Sequence, residues 1–108
     1  MSDAEPLARY LADIRALPTI DRAALAALLP LARAGDAEAE TQVLQGLLEL
    51  TAVLTRHLAP PTMAPLDAVQ EANVVLTALV RDPDGVSPVL ALPPALQARF
   101  AGGGPVGT

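Results

Sequence analysis

With one tyrosine, one phenylalanine and no tryptophan among its 108 residues, this chain has almost no large flat side chain with which to fill an interior. Its hydrophobic fraction is nevertheless 52%, carried by Ala, Leu and Val. A core of short aliphatic side chains favours closely packed helices. Ala and Leu are the strongest helix formers, and the aromatic and β-branched types that suit a pleated sheet are scarcer. The expected fold class is therefore all-α. A chain of this length buries roughly two thirds of the surface it exposes when unfolded, enough for one modest core.

Proline, glycine and aspartate divide the sequence into helical lengths. Ser2 and Glu5 have capping-box spacing and Pro6 suits a first turn, after which Leu7, Tyr10, Leu11, Ile14 and Leu17 recur at the helical period until Pro18. Asp21 can cap a second helix with Leu25, Leu28 and Leu29 on its apolar side. Pro30 is expected to kink that helix or divide it, because a proline inside a regular helix costs about 3 kcal/mol. Gly35 supplies a stop and Asp36 a cap for a third helix, with Glu38 and Glu40 in its first turn. The expected apolar stripe of this helix is Val43, Leu44, Leu47, Leu48, Leu50, Leu54 and Leu58, and Gly46 within it reads as a packing notch.

Ala59 to Pro65 holds three prolines and must be a loop leading to a fourth helix from about Leu66 to Val80. At 100° per residue, Asp67, Gln70, Glu71, Val74, Thr77, Ala78 and Arg81 of that helix share one side. Leu66, Val69, Asn73, Leu76 and Val80 share another, which reads as the core stripe, so Asn73 is expected to hydrogen-bond a neighbour. Asp82-Pro83-Asp84-Gly85 carries turn chemistry. The expected organisation is thus a helical domain of about four helices over residues 1–83 and a Pro/Gly-rich tail over 84–108, in which only Ala95 to Phe100 offers a short helical pattern. Gly102 to Thr108 is expected to be disordered.

Charge and chemistry exclude several classes of function. A net charge of −5, from seven arginines, no lysine and twelve acidic residues, argues against autonomous nucleic-acid binding, which depends on clustered positive charge. The absence of cysteine removes disulfides and thiolate chemistry and fits a reducing compartment, with cytoplasm the expected location. No uninterrupted apolar run reaches the roughly 20 residues that span a bilayer, and the acidic start is not a secretory signal. His57 stands alone and makes neither a metal site nor a triad; it reads as a polar helix-end residue. Gly102-Gly103-Gly104 lacks the strand and helix that would make it a phosphate loop. No catalytic residue, metal or cofactor is expected, and the chain reads as a non-enzyme that presents helix faces to a protein partner.

Four strings in order carry a family resemblance. Pro6-Leu7-Ala8-Arg9-Tyr10-Leu11-Ala12-Asp13-Ile14, then Leu17-Pro18, and Ala34-Gly35-Asp36-Ala37-Glu38-Ala39 resemble the opening helices of the housekeeping-type sigma factors of bacterial RNA polymerase. The third helix, ending Thr55-Arg56-His57-Leu58, resembles region 2.1 of that family. Asp67-Ala68-Val69-Gln70-Glu71-Ala72-Asn73-Val74-Val75-Leu76 resembles region 2.2, where the pattern is Asp-Leu-Ile-Gln-Glu-Gly-Asn-x-Gly-Leu. The resemblance runs from region 1.2 through region 2.2 and covers the helical domain. It implies that Asp67, Gln70, Glu71 and Asn73 contact the clamp of the β′ subunit of core RNA polymerase.

The departures limit what the resemblance implies. The family melts promoters with a following segment rich in aromatic and basic residues, and nothing of that kind follows Pro83. A domain to read upstream DNA has no room, so promoter recognition would need a separate DNA-binding factor. Leu47 stands where the family commonly has Asn, Val75 where it commonly has Gly, and Pro30-Leu31 where a basic pair is usual. Those substitutions equally suit a helical adaptor or regulator on a diverged sigma-like scaffold.

Overall fold

The computed structural model describes residues 4–17 and 19–102, which form five α-helices and no strand. In chain order these are α1 (Ala4–Arg15), α2 (Arg22–Arg33), α3 (Ala37–Leu58), α4 (Pro65–Arg81) and α5 (Pro88–Gly102). The all-helical expectation holds. Ser2, Pro18 and Gly103 to Thr108 lie outside the described residues, as do the capping box and the disorder expected of them.

The junction between α2 and α3 follows from two residues. Gly35 adopts φ 106°, a left-handed conformation that costs glycine no steric clash. The amide of Gly35 then donates to the Ala32 carbonyl at 3.1 Å and that of Asp36 to the Leu31 carbonyl at 3.0 Å, the paired bonds of a Schellman ending. Asp36 also starts the next helix, its carboxylate accepting from the Ala39 amide at 3.0 Å. Asp21 caps α2 in the same way, accepting from the Ala24 amide at 2.7 Å.

The main core joins α2, α3, α4 and α5 through Leu25, Leu29, Val43, Leu47, Leu76, Val80, Leu92, Leu96 and Phe100, with Ala32, Ala39, Ala68 and Ala72 buried among them. A satellite cluster of Leu11, Ile14 and Ala52, flanked by Tyr10, Leu17 and Leu48, holds α1 against α3. Gly46 is the expected notch: a β-carbon there would stand 2.5 Å from Ile20 Cβ and 2.6 Å from its Cγ2. Along α3 the buried positions are Ala39, Val43, Leu47, Thr51, Ala52 and Thr55. Leu44, Leu48, Leu50, Leu54 and Leu58 are only partly buried around them. Two threonines reach the interior because each hydroxyl donates to the carbonyl four residues back, Thr51 to Leu47 at 2.8 Å and Thr55 to Thr51 at 2.7 Å.

The expected division at Pro30 does not occur, and the helix expected over Ala95 to Phe100 is longer. α2 continues through Pro30 as one helix, and α5 begins at Pro88 and runs through both Pro93 and Pro94. The carbonyls deprived of an amide partner belong to residues four back, Ala26, Val89 and Leu90, which are exposed residues rather than core ones. Pro88 itself suits the first helical turn, where an amide hydrogen would have no partner. Leu92, Leu96 and Phe100 then recur every fourth residue and are buried. On α4 the buried set is Ala68, Val69, Ala72, Leu76 and Val80, whereas Leu66, expected in the stripe, is 40% exposed.

Arg33 ties the C-terminal ends of α2 and α4 to the α4–α5 connection. Its Nε donates to the Val80 carbonyl at 3.2 Å, Nη1 to Gly85 at 3.0 Å, and Nη2 to Leu79 at 3.1 Å and Val86 at 3.0 Å. Two of these acceptors are last-turn carbonyls of α4 that have no partner within their own helix. A cation there also meets the negative end of the helix dipole. The turn it braces is closed by Asp82, whose carboxylate accepts from the Asp84 amide at 3.0 Å and whose carbonyl accepts from the Gly85 amide at 3.2 Å.

An Arg33→Gln variant, which cannot reach all four carbonyls, is expected to lose about 2–3 kcal/mol in chemical denaturation; a loss under about 0.5 kcal/mol would remove Arg33 from this role. Leu96→Ala is expected to cost about 2–5 kcal/mol in the same measurement, because Leu96 is fully buried. An unchanged midpoint would mean that α5 does not belong to the cooperative core.

Candidate functional site

The four residues singled out from the sequence all lie on α4, but not on one face. Asp67 and Gln70 are exposed, and Glu71 joins them half-exposed, one turn beyond Asp67. Asp67 sits in the first turn of α4, where its charge complements the positive end of the dipole. Val74, 58% exposed, Ala78 and Arg81 continue the same side toward the end of the helix. This arc matches the polar side expected from the helical wheel.

Asn73 faces elsewhere. It is half-buried against α1, where its Nδ2 donates to the Tyr10 hydroxyl at 3.3 Å. Its Oδ1 is buried with no hydrogen-bond partner. The expectation that Asn73 bonds a neighbour is met by Tyr10, and the side chain belongs to the α1–α4 contact rather than to the Asp67–Glu71 side. A half-satisfied amide of this kind stabilises little by itself but is costly to disturb.

The structure adds a residue that the sequence did not single out. Arg99, in the last turn of α5, donates from Nε to Glu71 Oε1 at 2.8 Å and from Nη2 to the same oxygen. Both ends of this ion pair are solvent-facing, with side chains 46% and 41% exposed. Arg99 and Phe100 from α5 and Met63 from the preceding loop border one recess with Asp67, Gln70 and Glu71. The signal for this contact was the four-residue spacing of Leu92, Leu96 and Phe100, which orients α5; Pro93-Pro94 concealed it.

A second ion pair stands at the other end of α4, between Arg81 and Glu40 of α3. Glu40, chiefly as hydrogen-bond acceptor and then as a charge, raises the Arg81 guanidinium above its ordinary pKa. The α4 side therefore runs from an acidic start at Asp67 and Glu71, through exposed Val74, to a basic end already neutralised by α3. Among the described residues no group of three or more His, Cys, Asp or Glu side chains converges, and no helix is long and apolar enough to cross a membrane.

Comparison of the chain with protein-family models, curated proteins and solved structures returns no match.

Removing the Tyr10 hydroxyl would leave the Asn73 amide with neither polar atom paired. Tyr10→Phe is accordingly expected to destabilise by about 1–3 kcal/mol in thermal unfolding, far more than a surface hydroxyl contributes. A melting temperature equal to the parent's would mean that water, not Tyr10, serves Asn73.

Proposed function

We propose that this chain is a sigma-factor-like protein that binds core RNA polymerase and acts in transcription initiation or its regulation. It works by binding rather than by catalysis, in the cytoplasm with the transcription machinery. The docking surface is the exposed side of α4 carrying Asp67, Gln70 and Glu71, and the partner surface is the clamp of the β′ subunit. The observation that carries this reading is the coincidence of the Asp67-to-Leu76 string with a solvent-facing helix side on which the three polar residues stand together. Asn73 belongs to the resemblance but acts here through Tyr10, as a positioning residue between α1 and α4. It either cooperates with a separate DNA-binding factor or occupies the sigma site as a competitor.

A second reading, a helical adaptor or regulator on a diverged sigma-like scaffold, draws on the places where the pattern departs. Leu47, where the family commonly has Asn, is buried in the main core, and Val75, where Gly is common, packs partly buried against it. These side chains have become part of the interior, and such substitutions leave the exposed side free to change partner.

Capture of purified bacterial core RNA polymerase by the tagged protein separates the two. Retention that an authentic sigma factor competes away supports the first reading. Glu71→Lys is expected to abolish most of that retention while changing stability by less than about 1 kcal/mol, because an exposed ion pair contributes little to folding. Undiminished capture by the folded variant would sink the assignment of this face, and no capture by the folded parent would favour the adaptor.

A further inference from the structure

We infer that Arg99 is a built-in competitor for the partner's basic group, so that docking on the α4 side exchanges an internal ion pair for an external one. This rests on the docking reading above and specifies how that site is regulated. Of the three Arg–Glu pairs among the described residues, Arg15–Glu49 and Arg81–Glu40 lie away from the Asp67–Glu71 recess. Arg99–Glu71 lies within it. Arg99 places a positive charge on Glu71, in the recess that Asp67 also lines, and two of its N–H groups already use Glu71 Oε1. An incoming arginine or lysine meets the repulsion of that guanidinium and competes with it for the Glu71 carboxylate.

The exchange does not require α5 to leave. Phe100, the next residue, is buried in the main core and holds the helix end in place, whereas the Arg99 side chain is 46% exposed and can swing into water. The competitor is thus a mobile charge on a fixed helix. Its effect is modest, because an exposed pair of this kind is worth only a few-fold in an equilibrium constant, and it is weakened by salt. The partner's own pair with Glu71 weakens with salt in the same sense, so replacing one pair by the other leaves the net salt dependence shallow.

The test is titration of purified core RNA polymerase with the intact protein and its Arg99→Gln variant at low and moderate salt, with Arg15→Gln as a control pair outside the recess and Glu71→Lys alongside. Arg99→Gln is expected to bind about two- to fivefold more tightly than the parent at low salt and to lose affinity more steeply as salt rises. Arg15→Gln is expected to follow the parent. Arg99→Lys, which keeps the charge but not the two-pronged donor, should fall between parent and Arg99→Gln. If the parent binds and Glu71→Lys does not, yet Arg99→Gln binds equally or more weakly, the competitor role is overturned while the docking reading stands. If neither the parent nor Arg99→Gln binds, although both melt cooperatively, the docking reading fails and the competitor role fails with it.

Discussion

The architecture depends on the fork of Arg33. Four carbonyls, from Leu79, Val80, Gly85 and Val86, converge on one guanidinium from the end of α2. A chain leaving α4 exposes last-turn carbonyls that no residue of that helix can satisfy, and here a residue from another helix does so. Because the same group also holds Gly85 and Val86, it fixes where α5 starts. The start sets the register in which Leu92, Leu96 and Phe100 enter the core, and that register brings Arg99 to Glu71. One planar donor thereby links the end of a helix, the path of a turn and the charge of a surface 66 residues further along the chain.

A core almost without aromatics can hold together only if its helices approach closely. Ala32, Ala39, Ala68 and Ala72 lie buried among these helices, and Gly46 admits Ile20 of the α1–α2 connection into the space its own β-carbon would need. Dispersion falls away steeply with separation, so small residues at the crossings compensate for the small payload of each side chain. The buried threonines obey the same constraint: they occupy little volume and satisfy their hydroxyls within their own helix.

Much of this was legible in the sequence where local chemistry decides the outcome. Asp21, Gly35 and Asp36 announce helix boundaries through their own backbone and side-chain groups, and each does so in the structure. The exposed arc of Asp67, Gln70 and Glu71 follows from periodicity alone. Proline was harder to place because its penalty depends on something absent from a local reading, namely the surroundings of the residue four back. Ala26, Val89 and Leu90 are exposed, so α2 and α5 tolerate prolines that a buried helix would not. Arg33 was not legible because it acts on carbonyls at least 46 residues away, which no spacing rule connects to it, while the spacing that places Arg99 was concealed by Pro93-Pro94.

The placement of Arg99 also shows how the fold and the surface are separated. On α5 the buried stripe centres on Leu96, and a residue at position 99 lies about 60° from that centre, at the edge of the stripe rather than opposite it. Any sequence that buries Leu92, Leu96 and Phe100 in this register therefore sets a side chain at 99 beside α4, whatever its chemistry. Its identity is free to vary with little consequence for the core, whereas Phe100 next to it is not. The same holds along α4, where Glu71 precedes the fully buried Ala72. A scaffold with this division can change the charge of its exposed side one residue at a time while the interior continues to specify the same arrangement of helices.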